Sequence, residues 1–401
     1  VKPLEGIRVL EVAMYGFVPS AGAVLADWGA DVVKVEHAVN GDPQRGLRRT
    51  GSFVVEGDPN PNIAHANRGK RSLGLDIATP EGRGVLYELA KGADVFLTSF
   101  LPAARARFAI DIADIRAVNP RIVYARGTAL GPRGPESGKG GYDMTAFWAR
   151  AGTAASITPP GTDGMVSPPG PAYGDTISGT NLAGGIAAAL LRRERTGEPS
   201  VVDVSLLGSG LWAMGHAIGL SLHLDRAWEG IAPSGHGSPT NPLSGLYRTA
   251  DDRYVSFVML QPARFWANVC HCLGRPDLAD DPRFATAESI AEHTADAVKI
   301  LRETVATRTL AEWSESLAAL DGPWAPVQDT LQAAADAQVR ANGYVGQAGE
   351  LELVASPVQF DVRDTRLEPA PEFAAHTEQI LTELGYDWDR ILALKARGAI
   401  T

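Results

Sequence analysis

Between residues 7 and 36 the chain reads IRVLEV, then SAGAVLADWG, then DVVKVE: a β-branched run, a small-residue stretch ended by glycine, and a second β-branched run. Two strands separated by one helix's worth of chain pair in parallel, with the helix crossing over the sheet. The spacing predicts a strand over Ile7–Val12, a helix over Ser20–Trp28 stopped by Gly29, and a strand over Asp31–Glu36, which is one βαβ unit. Further strands are expected at Arg71–Asp76, Asp94–Thr98 and Ile122–Ala125, with a helix over Pro80–Lys91 whose proline sits in the first turn. The first half of the chain therefore reads as doubly wound α/β.

Residues 127–141 and 157–174 are rich in Gly and Pro and read as loops, long enough to carry function. Between them Asp143–Ser156 reads as a helix capped by Asp143. After them Thr180–Thr196 reads as a small-residue helix stopped by Gly197, followed by a strand at Ser200–Ser205 and a helix from Leu206 to Leu224. A third Gly/Pro segment, Gly230–Gly245, precedes a strand near Tyr254–Met259 and helices through Leu320. At 401 residues the chain exceeds what one hydrophobic core organises. The expected division is a large domain over 1–225, a small α+β domain over 226–327, and a segment 328–401 that returns to the large domain or to a dimer partner.

A formal net charge of −10 with no basic stripe argues against nucleic acid as a partner. The only cysteines, Cys270 and Cys272, form a C-x-C pair that falls short of a four-ligand zinc site and is poorly spaced for a mutual disulfide, so both are expected to be reduced. No apolar run approaches the roughly 20 residues that span a bilayer, and the N-terminus lacks a charged-then-apolar leader pattern. These features predict a cytoplasmic protein with no membrane partner and no metal.

The parallel sheet invites a dinucleotide reading in which Glu36 would hold a ribose hydroxyl, but the turn after the first strand, AMYGFVPSAG, lacks G-x-G-x-x-G. Gly138-Lys139 is followed by Gly140, so no P-loop is present, and neither H-E-x-x-H nor G-x-S-x-G occurs. The eight histidines are scattered, and one on an apolar helix, such as His216, reads as a core residue.

Asp175, in AYGDTISG, is the sharpest candidate for chemistry. It follows a Gly/Pro loop and precedes a Gly/Ala-rich helix, where a helix N-terminus favours an ionised carboxylate able to attack a thioester. Spacing alone favours the plainer reading of Asp175 as a helix cap.

The blocks PLEGIRVLEV, LADWGADVVKVE, NRGKRSLGLDIATPEGR, ADVFLTSFLP, GGYDMTAF, GDTISGTNLAGGIAAALLRRERTGE and HTEQILTELGY, in this order, resemble the family III CoA-transferases, the CaiB/BaiF-like formyl-CoA and carnitine CoA-transferases. The likeness runs from Pro3 to about Ile400. It implies a Rossmann-like large lobe, a smaller domain, and a homodimer of interlocked rings. It also implies an acyl-CoA donor, a carboxylic acid acceptor and coenzyme A as the group carried. The family's nucleophilic aspartate falls on Asp175, which would pass through an aspartyl anhydride and an aspartyl-CoA thioester. The segment Ser234–Gly237 resembles the family's glycine loop, so Gly235, His236 and Gly237 are expected to stabilise the oxyanion.

The resemblance places Tyr15, Gly16, His37, Leu75, Ser99, Phe100 and Arg107 at CoA-contact positions. Ser99 stands where relatives carry Asn, and basic residues found elsewhere are missing at Ala78 and Thr128. Lys139, Arg45, Lys70 and Arg71 are candidates to grip the phosphates instead. Loop residues Trp148, Met165 and Tyr173 are candidates to line the acid pocket. The related α-methylacyl-CoA racemases carry a His where this chain has Tyr142 and a carboxylate where it has Gln261. A phenol and a neutral amide make a poor proton relay, so transfer is favoured over racemisation. A catalytically weak acyl-CoA-binding partner subunit is the third alternative.

Overall fold

The computed structural model describes residues 2–229, 241–361 and 366–401. The chain divides into two compact units, one made of Val1–Ala155, Val166–Trp228 and Ala337–Thr401, the other of Ser156–Met165 and Glu229–Asp336.

In the first unit, β1 (Arg8–Val12), β2 (Asp31–Glu36), β3 (Arg71–Gly74), β4 (Val95–Thr98), β5 (Val123–Thr128) and β6 (Val201–Ser205) form one parallel sheet in the order β3-β2-β1-β4-β5-β6. The order reverses between β1 and β4, the switch point at which open α/β sheets leave a crevice beyond the strands' carboxyl ends. The apolar runs exist because both faces are covered. Val9, Val95, Leu97, Val123 and Ala125 pack on one side, while Leu10, Val12, Phe96 and Tyr124 pack on the other, following the period of two along each strand.

Helix α1 (Phe17–Asp27) crosses from β1 to β2, and α2 (Pro80–Lys91) from β3 to β4. Helix α3 (Tyr173–Thr196) packs against α1 through small residues. A Cβ added at Gly179 would lie 2.7 Å from Ser20 Cβ and 2.9 Å from the Phe17 carbonyl, so the two backbones meet closely only because glycine stands there. On the opposite face Ile380, Leu381, Ile391 and Leu394 of the C-terminal helices join the core, and Asp76 N donates to Ala399 O at 2.8 Å.

The second unit holds an antiparallel sheet in the order β9 (Trp324–Pro326), β8 (Tyr254–Val258), β7 (Ser244–Arg248), covered by helices that include Pro262–Cys272 and Thr294–Val305. Trp266 and Trp313 are buried in its core, and each indole N–H finds a carbonyl, at Leu278 and Val305 respectively.

Three expectations are corrected. Helix α3 starts at Tyr173 rather than Thr180, so Asp175 lies inside its first turn instead of before it. The stretch read as one helix over Asp143–Ser156 is a π-helix, Met144–Arg150, then a short helix, Thr153–Ile157, parted at Gly152 with φ +86°. The helix expected from Leu206 to Leu224 breaks at Met214 into α4 (Leu206–Ala213) and Gly215–Leu224.

Candidate active site

The carboxyl ends of β1 to β5 open into a cavity of about 1340 Å³, above the usual 300–1,000 Å³ of small-ligand sites. Its wall is mostly apolar, with Tyr15, Phe17, Leu75, Phe100 and Leu206 among the lining residues. Every described residue that lines it belongs to the first unit.

The turn from β1 into α1 forms one side, and other elements grip its backbone. Ala13 O accepts from Lys34 Nζ at 3.1 Å, Met14 N donates to Ser99 Oγ at 3.1 Å, and Tyr15 N donates to Asp42 Oδ1 at 3.2 Å. Tyr15 has φ +66°, a left-handed conformation that costs a non-glycine residue free energy and persists only where its surroundings fix it. Gly16 follows, and its carbonyl receives both Ser20 N at 3.0 Å and Ser20 Oγ at 2.7 Å.

Beneath this turn lies an ionic network out of contact with water. Lys34 Nζ sits 2.8 Å from Asp42 Oδ2 and 3.2 Å from Glu11 Oε1, and Lys70 Nζ is 2.7 Å from Glu11 Oε2; all four side chains are buried. Glu36 takes both Arg45 nitrogens at 2.7 Å, Ser72 Oγ at 2.6 Å and Asp42 N at 3.0 Å. These carboxylates hold Lys34 well above the usual lysine range despite burial, whereas burial brings Lys70 down to about 8. Such networks are tolerated because each charge keeps a partner.

Asp175 faces the cavity from the first turn of α3 and rests against Gly16, where an added Cβ would meet Oδ2 at 2.5 Å. Among the described residues its carboxylate has no hydrogen-bond or ion-pair partner. The helix's leading amides are occupied by another residue. Asp143 accepts from Gly174 N at 3.1 Å and from Tyr173 N, and is itself buried. Burial first, and then the charge of Asp143, push the Asp175 carboxyl up to about 7. The capping reading of Asp175 is thereby corrected, since the cap comes from 31 residues upstream.

Of the other sequence candidates, Tyr15, His37, Leu75, Ser99, Phe100, Arg107, Lys139 and Tyr142 line the same cavity, and Gly16 borders it through Asp175. Arg107 is exposed, its guanidinium 4.4 Å over the Phe108 ring, with no carboxylate partner among the described residues. Lys139 is paired with Glu136 at 2.7 Å, which also holds Arg150. Tyr142 meets Tyr15 edge to face at 5.7 Å.

Several assignments fail on geometry. Lys70 is locked on Glu11, Arg45 on Glu36, and Arg71 on Asp31 and Glu383 at 2.6 Å each, so none of these three has its charge free for a phosphate. Glu36 is saturated by Arg45, Ser72 and Asp42 and has no acceptor left for a ribose. Trp148 donates to Val166 O and meets Tyr173 edge to face, and neither lines the cavity. Met165 and Gln261 belong to the second unit, the latter at the N-cap of Pro262–Cys272, so the cavity of the first unit neither supports nor overturns their assignment to the acid pocket. Gly235, His236 and Gly237 lie outside the described residues. The sequence reading missed Asp143 as a partner of α3, and missed Asp42 and Lys34 as grips on the turn; the one available signal was the charged residues Glu11, Lys34 and Glu36 inside apolar strands. Among the described residues no cluster of His, Cys, Asp or Glu is arranged to hold a metal, and no helix is long and apolar enough to cross a membrane.

Residues 4–377 match the family model described as CoA-transferase family III. The chain is 30% identical to the (R)-2-hydroxy-4-methylpentanoate CoA-transferase of Clostridioides difficile over 97% of both chains. It is 32% identical to a probable fatty acyl-CoA transferase of Mycobacterium tuberculosis, over 95% of this chain and 98% of that one. The crystal structure of a CAIB/BAIF family protein from Brucella suis superposes with a TM-score of 0.83 at 27% identity, covering 96% of this chain and 99% of that one.

Proposed function

The chain belongs to CoA-transferase family III, and from that premise we propose that it is an acyl-CoA:carboxylate CoA-transferase whose nucleophile is Asp175. The observation that carries the reading is the unpaired Asp175 carboxylate, set against the bare Cα of Gly16 on the wall of a cavity large enough for an acylated pantetheine arm. Among the described lining residues Arg107 is a cation with no carboxylate partner and suits a CoA phosphate, and Tyr15, Leu75 and Phe100 offer apolar wall to the pantetheine.

In this scheme an Asp175 oxygen attacks the donor thioester carbonyl, the C–S bond breaks, and CoA leaves as the thiolate. The resulting mixed anhydride is attacked by that thiolate at the aspartyl carbonyl, which releases the donor acid as its carboxylate and leaves an aspartyl-CoA thioester. The acceptor carboxylate attacks this thioester, giving a second anhydride and free thiolate. The thiolate then takes the acceptor's acyl carbon, so acyl-CoA departs and Asp175 is regenerated. Every step exchanges one carboxylate or thiolate for another, so no net proton moves. Each tetrahedral intermediate needs oxyanion donors, a role we assign to Gly235, His236 and Gly237. The large and small domains, 1–225 and 226–327, and the interlocked homodimer belong to the same reading.

The relatives named above act on a branched 2-hydroxy acid and, by name, on fatty acyl groups. The mostly apolar cavity wall favours a monocarboxylic acid of that apolar kind as acceptor here. The test is transfer from acetyl-CoA and succinyl-CoA donors to a panel of carboxylic acids, with hydroxylamine present in a parallel reaction. Transfer that Asp175→Ala abolishes, with a hydroxamate at Asp175 by peptide mass, supports the scheme. Full turnover in Asp175→Ala, or solvent deuterium entering C2 of a 2-methylacyl-CoA with no acceptor present, overturns it.

A further inference from the structure

Asp175 occupies the third position of α3, where a carboxylate ordinarily turns back onto the helix's own leading amides. It does not do so here. The residue preceding the helix, Ala172, has φ +54° and a side chain unable to cap. The carboxylate of Asp143, from the start of the neighbouring π-helix, fills the position instead, receiving Gly174 N at 3.1 Å and Tyr173 N. The fit is tight: a Cβ added at Gly174 would lie 2.4 Å from Asp143 Oδ1 and 2.3 Å from Phe147 Cγ. The glycine admits the capping carboxylate, and the capping carboxylate occupies the amides.

We propose that Asp143 is the positioning residue of the site, taking the α3 amides that would otherwise neutralise Asp175 and so keeping the nucleophile bare toward the cavity. The inference rests on the reading of Asp175 as nucleophile. Two consequences follow from elementary chemistry. A carboxylate that accepts no amide is more basic and more nucleophilic than one that accepts two. A second anion nearby also raises the pH at which the first ionises, and for a nucleophile that must be ionised the best compromise lies near the working pH.

The other titratable groups on the surrounding elements cannot take this part. Tyr142, Tyr15 and Tyr173 are phenols. Glu136, Lys139 and Arg150 form their own ion-paired group on the cavity wall. Helix α1 contributes only Asp27, at its far end and paired with Arg68, and α4 contributes none. Glu36 and Asp42, also on the cavity wall, are committed to Arg45 and Lys34, while His37, Asp76 and Arg107 lie on other elements of that wall and take no α3 amide. Among the described residues Asp143 alone joins the cap and the charge.

The test is the Asp143→Asn variant, whose amide oxygen still accepts from Gly174 but whose charge is gone, alongside Asp143→Ala, which loses both. In the whole protein labelled at aspartate carboxyl carbons, the Asp175 signal, identified by its loss in Asp175→Asn, is titrated directly. Its midpoint is expected to fall by about one pH unit in Asp143→Asn and further in Asp143→Ala, and the acid limb of kcat/KM is expected to move with it. kcat is expected to fall more in the alanine variant than in the asparagine variant, with KM for acyl-CoA little changed. An Asp175 midpoint that stays in place in a folded Asp143→Asn protein overturns the inference. Because the titration needs no turnover, a shifted midpoint in a protein that transfers no CoA would instead reject the transferase scheme and leave this coupling standing.

Discussion

Gly16 and Asp175 are in contact across the β1–α1 turn: the carboxylate occupies the space in which a side chain at 16 would begin. A Cβ built on Gly16 comes within 2.5 Å of Asp175 Oδ2 and 3.3 Å of its Cβ and Cγ. The backbone of Gly16, at φ −89° and ψ −53°, is one that any residue adopts. An alanine there would therefore strain the carboxylate and not the turn. Gly16→Ala is expected to lower transfer by about 10- to 100-fold through displacement of the proposed nucleophile, with a stability change within about 1 kcal/mol. Steady-state kinetics beside a urea melt check this, and an undiminished kcat would show that Asp175 does not react from this position.

Asp175 also makes a prediction about stability. Its folded-state carboxyl titrates at about 7 against an ordinary 3.8, so the fold disfavours the charged form. The protein then loses stability as pH rises from about 4 to about 7, and the full cost is present above that window. Asp175→Asn removes the ionisation, so the variant should equal the parent near pH 4 and exceed it at pH 8. Three pH units at 1.36 kcal/mol each set a ceiling of about 4 kcal/mol, and water reaching the partly buried carboxylate reduces the expected gain to about 1–2 kcal/mol. Urea denaturation at the two pH values measures the difference; a variant less stable than the parent at pH 8 contradicts the raised ionisation.

The parallel sheet was legible because a strand buried on both faces leaves an unbroken apolar run, and the strand starts at Arg8, Asp31 and Val95 follow those runs. The start of α3 was not legible. Its cap is a carboxylate 31 residues upstream, and local turn chemistry in PAYGDT carries no trace of it. The π-helix after Asp143 was equally hidden, since MTAFWAR reads as an ordinary helical pattern. Lys70, Arg45 and Arg71 were misread for a related reason. A basic residue beside a Gly-rich turn looks solvated in one dimension, and only the packed sheet reveals the carboxylates of Glu11, Glu36 and Asp31 beside them.

Arg107 lines the cavity with no carboxylate partner among the described residues, in contrast to Lys139 and Arg150, which share Glu136. A free guanidinium forms strong paired hydrogen bonds to phosphate. Arg107→Gln should raise KM for acyl-CoA by about tenfold while kcat changes little, because the contact would be the same in the ground and transition states. The parent's KM should rise with added salt more steeply than the variant's. Kinetics across a salt series decide the matter, and equal slopes would remove Arg107 from phosphate binding.

Lys34 joins the stability of the sheet to the shape of the site. Its ammonium is buried, lies 2.8 Å from Asp42 Oδ2 and 3.2 Å from Glu11 Oε1, and donates to the Ala13 carbonyl at 3.1 Å. Asp42 in turn holds Tyr15 N in its left-handed turn. Lys34→Met strips the cation from two buried carboxylates. Lys70 still neutralises Glu11, so the uncompensated charge falls on Asp42. Removing one partner of a buried pair costs about 3–5 kcal/mol. If the cost is that stranded charge, adding Asp42→Asn to Lys34→Met should recover part of the stability, making the double variant more stable than the sum of the single losses requires. Transfer should not recover with it, because an asparagine at 42 that has lost its ammonium partner no longer fixes the turn carrying Tyr15 and Gly16. A double-mutant cycle read by both urea melts and kcat separates the two effects. Strict additivity in stability would mean that Lys34 and Asp42 do not act as a pair.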